Sequence, residues 1–379
     1  MFTDIALTSL QTATLGATPL QVVWFLLIAV LWCGFFFLEG FDFGVAMLYP
    51  VLGRDPKRRR VLINSIGATW DGNEVWLITA GGAMFAAFPG WYSTLFSALY
   101  LPLFLVLVGL ILRGISFEYR AKHPSTRWRD TFDTIGTVGS FIVTLVLGIG
   151  FANFVRGLPV APDTSAAYGD PNLFTGGFWS LFNFYGLLGG VTFVLLFITH
   201  GAMFLGIKTY GEVHDDAMSL LKKLGPVTVV VVAAFVLLGN IVYPASENPY
   251  AGTLASVLMW LTGLLAIAAV AFGVLAQLRG RNVLAFSGTG LSVIAMVAMI
   301  FVKIYGTLGF VSADPNRPLN MVTASSSPMT LQLMTVFAVI MVPIVLAYQV
   351  WSYWVLRKRL SVKDLPQQPI EENVVEVQA

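Results

Sequence analysis

The sequence has few of the residues on which soluble proteins and metal enzymes depend. Only 11% of the 379 residues are charged, against about 25% in an average soluble domain, and 57% are hydrophobic, with a mean hydropathy of +0.78. The single cysteine, Cys33, lies in the first apolar run, which excludes a disulfide framework or a thiolate metal site within this chain. The composition predicts a polytopic membrane protein.

Positive charge is missing from the start of the chain. The first twenty residues contain Asp4 and neither Lys nor Arg. Because a secretory signal peptide has a basic n-region, we expect the first hydrophobic segment to be a retained helix.

Histidine is scarce too, with three residues in the whole chain. Only His200 lies in a predicted span, because His123 and His214 fall in loops. Haem iron in a membrane needs axial ligands such as His or Met, so this chain cannot hold a full set of haems. His200 is more readily explained as a hydrogen-bonded core residue than as a metal ligand. The sequence contains no zinc spacing, phosphate-binding glycine motif or nucleophile–base pair.

Apolar segments of roughly 20 residues can cross a membrane as helices. Irregular backbone is excluded from lipid because its amide groups would lack hydrogen-bond partners. The sequence therefore predicts an all-α polytopic membrane protein with about nine transmembrane helices. The predicted spans are 21–48, 62–88, 91–113, 132–155, 178–207, 225–243, 254–277, 283–308 and 329–355.

The basic residues predict the orientation, since cytoplasmic loops are enriched in Lys and Arg. Nineteen of the 22 basic residues fall in alternate loops and in the C-terminal tail. Arg156 and Arg317 lie on the opposite side, and Lys303 lies within a helix. This distribution predicts an outer N-terminus and a cytoplasmic C-terminus.

Helices one to four and five to eight would run in the same directions, which permits a parallel internal repeat. Glu39-Gly40 and Phe43 match His200-Gly201 and Phe204 at the inner ends of helices one and five. We therefore predict two four-helix bundles related by a pseudo-repeat, plus one extra helix. The predicted boundaries are 1–20 for an outer N-terminal segment, 21–155 and 178–308 for the bundles, 329–355 for the ninth helix and 356–379 for a cytoplasmic tail.

Four carboxylates lie in the predicted cytoplasmic half of the first two helices, namely Glu39, Asp42, Asp71 and Glu74. An ionised side chain that faces lipid costs at least about 2.5–3.5 kcal/mol on insertion scales. We therefore expect these acids to face protein or a wet cavity, where they could form a proton relay. Alternatively, some of them cap helices or pair with the basic residues 58–60.

Three further charged residues are candidates for such a site. Glu118 would stand at the mouth of the relay, just beyond helix three. Arg113, at the inner end of that helix, is a candidate for an ion pair or a gate. Lys303 is best explained by snorkelling to the outer interface, with an ion pair, or a lipid or quinone contact, as the alternative.

Four motifs carry a resemblance that covers essentially the whole span region. They are residues 39–44 (EGFDFG), 64–82 (NSIGATWDGNEVWLITAGG), 117–120 (FEYR) and 324–326 (ASS). In order and spacing they resemble subunit II of the cytochrome bd quinol oxidases. The motif in the second helix is the most specific.

The resemblance implies a heterodimer in the bacterial inner membrane with a larger subunit I, which carries haem b558, haem b595 and haem d and oxidises quinol. Electrons from quinol reduce O2 to water, and the separation of charge builds proton-motive force. This chain would support haem-site assembly and cytoplasmic proton supply, without catalytic residues of its own. Small single-helix subunits and a structural quinone or lipid are compatible with this assignment, and no nucleic-acid partner is implied.

The family's proton path implies roles for Glu39, Asp71 and Glu118, with Trp76 alongside. The commonest proteobacterial pattern has Asp where this chain has Glu39 and Glu118, so the extra methylene changes the reach of both carboxylates.

Two other functions compete with the oxidase assignment. Buried acids, midplane glycines and a parallel repeat are also typical of a proton-coupled secondary transporter, which would move substrate by itself. A purely structural scaffold for a haem-bearing partner would need the acids for assembly and not for turnover.

Overall fold

The computed structural model describes residues 16–161, 173–250, 252–313 and 318–365. Its helices are α1 (Pro19–Met47), α2 (Tyr49–Leu52), α3 (Pro56–Ile66), α4 (Trp70–Ala87), α5 (Pro89–Ala98), α6 (Tyr100–Tyr119), α7 (Thr126–Arg156), α8 (Phe184–Lys208), α9 (Glu212–Val242), α10 (Gly252–Leu278), α11 (Asn282–Lys303) and α12 (Pro328–Val355). The predicted all-α polytopic fold class is confirmed. Residues 1–15 of the predicted N-terminal segment, Arg317 and the acidic end of the tail lie outside the described residues.

Three short strands form a small sheet at one end of the helices. They are β1 (Leu158–Ala161), β2 (Leu173–Phe174) and β3 (Phe310–Ser312). β1 lies in the middle, antiparallel to β2 and parallel to β3. We call this end of the molecule the sheet face.

Contacts between loops show that the sheet face also holds the other turns predicted on that side. The backbone N–H of Gly90, between α4 and α6, donates to the Ala324 carbonyl at 3.1 Å. Lys303 Nζ, at the end of α11, donates to the carbonyl of Pro244 after α9 at 2.8 Å. This hydrogen bond holds the Lys303 ammonium group at the sheet face, and among the described residues no carboxylate lies within ion-pair distance of it. Snorkelling of Lys303 to the outer interface stays a prediction.

The opposite end, the basic face, is formed by residues 48–69, 120–125, 209–216, 279–281 and 356–365. Arg58 of α3 lies 2.7 Å from Asp216 of α9, and Arg59 pairs with Asp130 and Asp133 of α7. Within the described residues, the chain passes nine times between the basic face and the sheet face.

In the part of the chain that the structure describes, eight helices are long and apolar enough to cross a membrane. The ninth pass is made by α4, whose first two turns contain Asp71, Asn73 and Glu74 and whose mean hydropathy is therefore lower. Its 18 residues extend about 27 Å at 1.5 Å per residue. The predicted span 62–88 is thus divided into α3 and α4, with a break at residues 67–69.

The third predicted span, 91–113, is wrong at both ends. The chain breaks at Leu99 between α5 and α6, and α6 continues to Tyr119. Hydropathy ended this span at Arg113 because a buried arginine cannot be told from a loop arginine by its charge. In the structure Arg113 is a helix residue with no exposed surface.

The predicted tail begins as an ordered segment on the basic face. Leu360 bridges Thr209, and Arg359 donates to the Thr209 carbonyl. The Tyr210 hydroxyl donates to Asp364 at 2.8 Å, and this hydrogen bond holds the pKa of the exposed Asp364 carboxyl below its ordinary value, with further help from Ser361.

The core is built around the crossing of α1 and α8, which lead the two predicted bundles. Gly44 and Gly201 meet there, so that a Cβ atom added to Gly201 would lie 2.6 Å from the Gly44 carbonyl carbon. Beside this crossing Phe41 stacks on Phe204, with 4.2 Å between the ring centroids. The crossing places the last turns of α1 at the centre of the protein, while the pseudo-repeat itself stays a prediction.

We expect Gly201→Ala to destabilise the folded protein. Overpacking costs roughly 1–3 kcal/mol, which outweighs a gain in helix propensity of at most about 1 kcal/mol. The apparent Tm in detergent should fall. Gly150→Ala is the control, because the nearest non-local atom to its added Cβ is 4.0 Å away. Equal melting of the Gly201→Ala variant and the wild type would contradict this account of the crossing.

Candidate functional site

A buried arginine lies among three carboxylates in the half of the molecule that adjoins the basic face. Arg113 Nη1 lies 2.9 Å from Glu39 Oε2 and 3.1 Å from Glu74 Oε2. Arg113 Nη2 lies 4.0 Å from Asp42 Oδ2. The side chains of Arg113, Glu39 and Asp42 have no exposed surface, and that of Glu74 is 20% exposed. We call these four residues the arginine cluster.

Aromatic rings enclose the guanidinium group of the arginine cluster. The Arg113 Cζ atom lies 4.7 Å from the centroid of the Phe43 ring, 5.5 Å from that of Trp70 and 5.7 Å from that of Phe117. Trp70 and Phe117 stack on each other, with 4.9 Å between their centroids. A desolvated cation gains stabilisation from such ring faces, so these rings shield the ion pairs from bulk solvent and add to their attraction.

Three helices bring the arginine cluster together. Glu39 and Asp42 are three residues apart on α1 and share one side of that helix, and Glu74 lies in the second turn of α4. α6 carries Arg113, and it is held close to α7 at Gly109 and Gly139. A Cβ atom on Gly109 would lie 2.9 Å from the Gly139 carbonyl oxygen.

A second set of polar side chains extends from Asp42 away from the arginine. Asn73 Nδ2 donates to Asp42 Oδ2 at 2.6 Å. Asn73 Oδ1 accepts from the Tyr353 hydroxyl at 2.8 Å and from Gln349 Nε2 at 3.4 Å. The Trp76 indole N–H donates to Gln349 Oε1 at 2.8 Å. We call Trp76, Gln349, Tyr353 and Asn73 the amide chain.

Two of the predicted acids are not part of the arginine cluster. Asp71, in the first turn of α4, is exposed on the surface of the protein, and Glu118 is exposed at the basic-face end of α6. Neither makes an ion pair with another described residue. The expectation that Asp71 faces protein can hold only if another chain covers α4.

Arg58 and Arg59 have other acidic partners. Arg58 binds Asp55, Glu212 and Asp216, and Arg59 binds Asp130 and Asp133. The alternative to a relay was that the intramembrane acids pair with these arginines. In the described residues, Glu39 and Glu74 pair with Arg113 and not with Arg58 or Arg59.

Comparison with known proteins assigns the chain to a family. The sequence profile of the family described as cytochrome bd terminal oxidase subunit II matches residues 20–356. The chain belongs to the cytochrome bd terminal oxidase subunit II family. The resemblance stated from the motifs is thereby confirmed.

Curated relatives match the chain over nearly its whole length. It is 38% identical over 347 residues to the cytochrome bd ubiquinol oxidase subunit 2 of Bacillus subtilis (strain 168), covering 91% of this chain and 98% of the relative. It is 35% identical over 369 residues to the cytochrome bd-I ubiquinol oxidase subunit 2 of Escherichia coli (strain K12), covering 91% and 96%.

One solved structure shares the fold. A chain of the bd oxidase from Geobacillus thermodenitrificans superimposes with a TM-score of 0.68, covering 89% of this chain and 98% of that chain. Its sequence identity is 16%, so this likeness concerns the fold alone.

His200, the histidine of this bd oxidase subunit that lies within a predicted span, is not available as a haem ligand. His200 is fully buried, its Nδ1 lies 2.8 Å from the Thr289 hydroxyl, and its Nε2 lies 3.1 Å from the Phe37 carbonyl. Its ring stacks on Phe286 at 4.6 Å between centroids. With both ring nitrogens hydrogen-bonded to protein, His200 has no free position for iron.

An apolar groove lies between α4 and α6, with its floor on α1 and α7. It has a volume of about 610 Å³ and is lined by residues that include Trp32, Ile78, Phe85, Leu103 and Phe151. Its apolar lining suits a hydrocarbon chain.

The role of α12 in the site is not evident from the sequence. Tyr353 lies near the basic-face end of this apolar helix, where aromatic residues are common at membrane interfaces, but its hydroxyl donates to the buried Asn73. Gln349 was not singled out, although an amide inside an apolar span is itself a signal.

We expect Arg113→Met to prevent normal folding, because removing one partner of a buried ion pair leaves uncompensated charge and costs about 3–5 kcal/mol. The yield of folded complex and its apparent Tm should fall sharply. Adding Glu39→Gln should recover part of the loss, since it removes one of those charges.

Arg54→Met is the matched control. Its side chain is 64% exposed and lies 3.9 Å from Asp216, so stability should change by no more than about 0.5 kcal/mol. Similar losses for Arg54→Met and Arg113→Met would show that charge removal alone, and not burial, decides the effect.

Proposed function

We propose that this chain is the subunit of a bd-type quinol oxidase that supplies protons from the cytoplasm for the reduction of O2 to water. The observation that carries this proposal is the arginine cluster, which places three carboxylates around one buried guanidinium inside an oxidase subunit. Carboxylates outnumber the cation, so the cluster has acceptor sites at which protons can be held. Quinol is the electron donor, and proton uptake from one side of the membrane builds proton-motive force.

The direction of proton entry follows from the charges on the basic face. Basic loops favour the cytoplasm, which puts the C-terminus and the nearby arginine cluster on the cytoplasmic side and the N-terminus outside. The membrane is the bacterial inner membrane. Glu118, exposed at the end of α6, stands at the entrance.

Unpaired polar atoms support passage of protons through the arginine cluster. Glu39 Oε1, Asp42 Oδ1 and Arg113 Nε are buried and have no hydrogen-bond partner among the described residues. Buried polar atoms are normally satisfied by protein or by ordered water, and water beside carboxylates can carry protons between them. The proposed path connects Glu118, Glu74, Asp42 and Glu39 inside the chain, and Asp71 connects it to the partner subunit.

Asp71 points to the surface on which the partner subunit docks. It lies on the exposed side of α4 with Ile78 and Phe85, whose exposed fractions are 71% and 60%. An ionised acid facing lipid is costly, so a protein surface must cover it. We propose that the larger subunit I of the oxidase lies here and receives protons through Asp71, with Trp76 beside the path.

The haems belong to subunit I in this proposal, which is supported by the engagement of both ring nitrogens of His200 with protein groups. Haem b558, haem b595 and haem d are the expected set, and they supply electron transfer from quinol to oxygen. The apolar groove between α4 and α6 is a candidate site for a structural quinone or lipid. Small single-helix subunits could pack on α12, where Leu331 is the only buried residue.

The rival functions differ in what they predict. Membership of the oxidase family does not favour a proton-coupled secondary transporter. A pure scaffold would require the acids for assembly alone, and the burial of Arg113 is compatible with that. Turnover per assembled haem therefore separates the scaffold from proton supply.

We expect Glu39→Gln to lower quinol-driven oxygen uptake by about tenfold or more at unchanged haem content, because an amide cannot carry a proton as a carboxyl group does. Asp71→Asn should act in the same direction. The measurement is oxygen consumption by the purified complex, divided by its haem content from the reduced-minus-oxidised spectrum.

Asp215→Asn is the control, because the Asp215 side chain is 77% exposed and pairs only with His214. It should leave uptake per haem unchanged. Full uptake per haem in Glu39→Gln would reject proton supply through the arginine cluster and favour the scaffold.

A further inference from the structure

α12 lies at the edge of the protein, yet it reaches the site. Only Leu331 of its 28 residues is buried. Gln349 and Tyr353, four residues apart on one side of the helix, nevertheless contact the buried Asn73 of α4. One hydrogen bond would be enough to attach α12 to α4. Two donors on the same Asn73 oxygen suggest that these residues also fix the orientation of the Asn73 amide.

Trp76 determines which group donates and which accepts in each hydrogen bond of the amide chain. The indole of Trp76 can only donate, so Gln349 must present its Oε1 atom to the Trp76 N–H, at 2.8 Å. The Nε2 atom of Gln349 then faces Asn73 and donates to its Oδ1 atom at 3.4 Å. The orientation of one amide thereby sets that of the next.

Tyr353 donates a second, shorter hydrogen bond to the same oxygen of Asn73. Its hydroxyl donates to Asn73 Oδ1 at 2.8 Å. Because two donors now hold Oδ1, the amide nitrogen of Asn73 is turned to Asp42 Oδ2, at 2.6 Å. A flipped Asn73 would lose both donors and would present a carbonyl oxygen to the Asp42 carboxylate.

The result is an Asp42 with two unlike oxygens. Oδ2 is held by Asn73, whereas Oδ1 is buried without a hydrogen-bond partner among the described residues. Oδ1 is therefore the oxygen that is free to take up and release a proton. The orientation of the Asn73 amide thus decides which of the two Asp42 oxygens exchanges the proton.

We propose that Gln349 and Tyr353 are positioning residues, which fix the Asn73 amide so that Asp42 exchanges protons through Oδ1 alone. The inference rests on the proposed function, in which Asp42 carries protons. It assigns to α12 a role in proton delivery through Asn73, without contact with a haem or with oxygen.

The test compares Gln349→Met and Tyr353→Phe in the purified oxidase complex. Both variants keep most of the side-chain volume and remove a donor to Asn73 Oδ1. Loss of one positioning hydrogen bond should lower oxygen uptake per haem by about three- to tenfold. The ratio of uptake in H2O to uptake in D2O should rise, because proton delivery becomes rate-limiting.

Two further variants make the test specific. Tyr348→Phe changes a tyrosine of the same helix that is 64% exposed, and it should match the wild type in uptake and isotope ratio. Asp42→Asn tests the proposed function itself. In the Asp42→Asn background, Gln349→Met and Tyr353→Phe should cause no further loss, because they act through Asp42.

The outcomes separate the two claims. If Asp42→Asn is slow while Gln349→Met and Tyr353→Phe retain wild-type uptake and isotope ratio, the positioning role is overturned and the proposed function stands. If Asp42→Asn keeps full uptake per haem, proton transfer through Asp42 is rejected and the positioning role falls with it. Loss of uptake from Gln349→Met and Tyr353→Phe that is equally large in the Asp42→Asn background would assign them to packing.

Discussion

The structure depends on the burial of one permanent positive charge. An arginine side chain stays protonated in proteins, and Arg113 has no exposed surface. Its charge must therefore be compensated inside the protein, which carboxylates from other helices do. Glu39 on α1 and Glu74 on α4 meet that need at 2.9 and 3.1 Å. The position of each helix is therefore coupled to the other two, because none can withdraw its side chain without leaving a buried charge unpaired.

The ion pairs of Arg113 depend on glycines in α1 and α6 that allow these helices to pack closely against their neighbours. Glu39 can reach Arg113 only if α1 lies deep in the protein, and it does so because Gly44 meets Gly201 of α8 backbone to backbone. Arg113 is held from the other side because Gly109 and Gly139 let α6 touch α7. Small residues give the close approach that membrane helices need in the absence of a hydrophobic driving force, and the close approach makes ion pairs possible.

The sequence predicted the carboxylates of the site better than the groups that organise it. Glu39, Asp42 and Glu74 could be placed at one depth, because hydropathy and basic loops determine where a helix begins and in which direction it runs. Arg113 was predicted only as the last residue of a span, because hydropathy cannot distinguish a buried arginine from one that begins a loop. The bonds of Gln349 and Tyr353 to Asn73 join residues 276 and 280 positions apart, and no local pattern encodes which distant helix will face an amide.

Asp71 and Glu74 show why a single chain is an incomplete description of such a site. They lie three residues apart on α4, yet Glu74 turns to Arg113 while Asp71 is exposed beside Ile78, and no cation among the described residues pairs with it. Lipid offers Asp71 no hydrogen bonds, so the proposed docking of a second protein surface on α4 would supply what this carboxylate lacks. The same helix thus faces a neutralised charge on one side and an unpaired carboxylate on the other, and for this reason the proposed function places the partner subunit at α4.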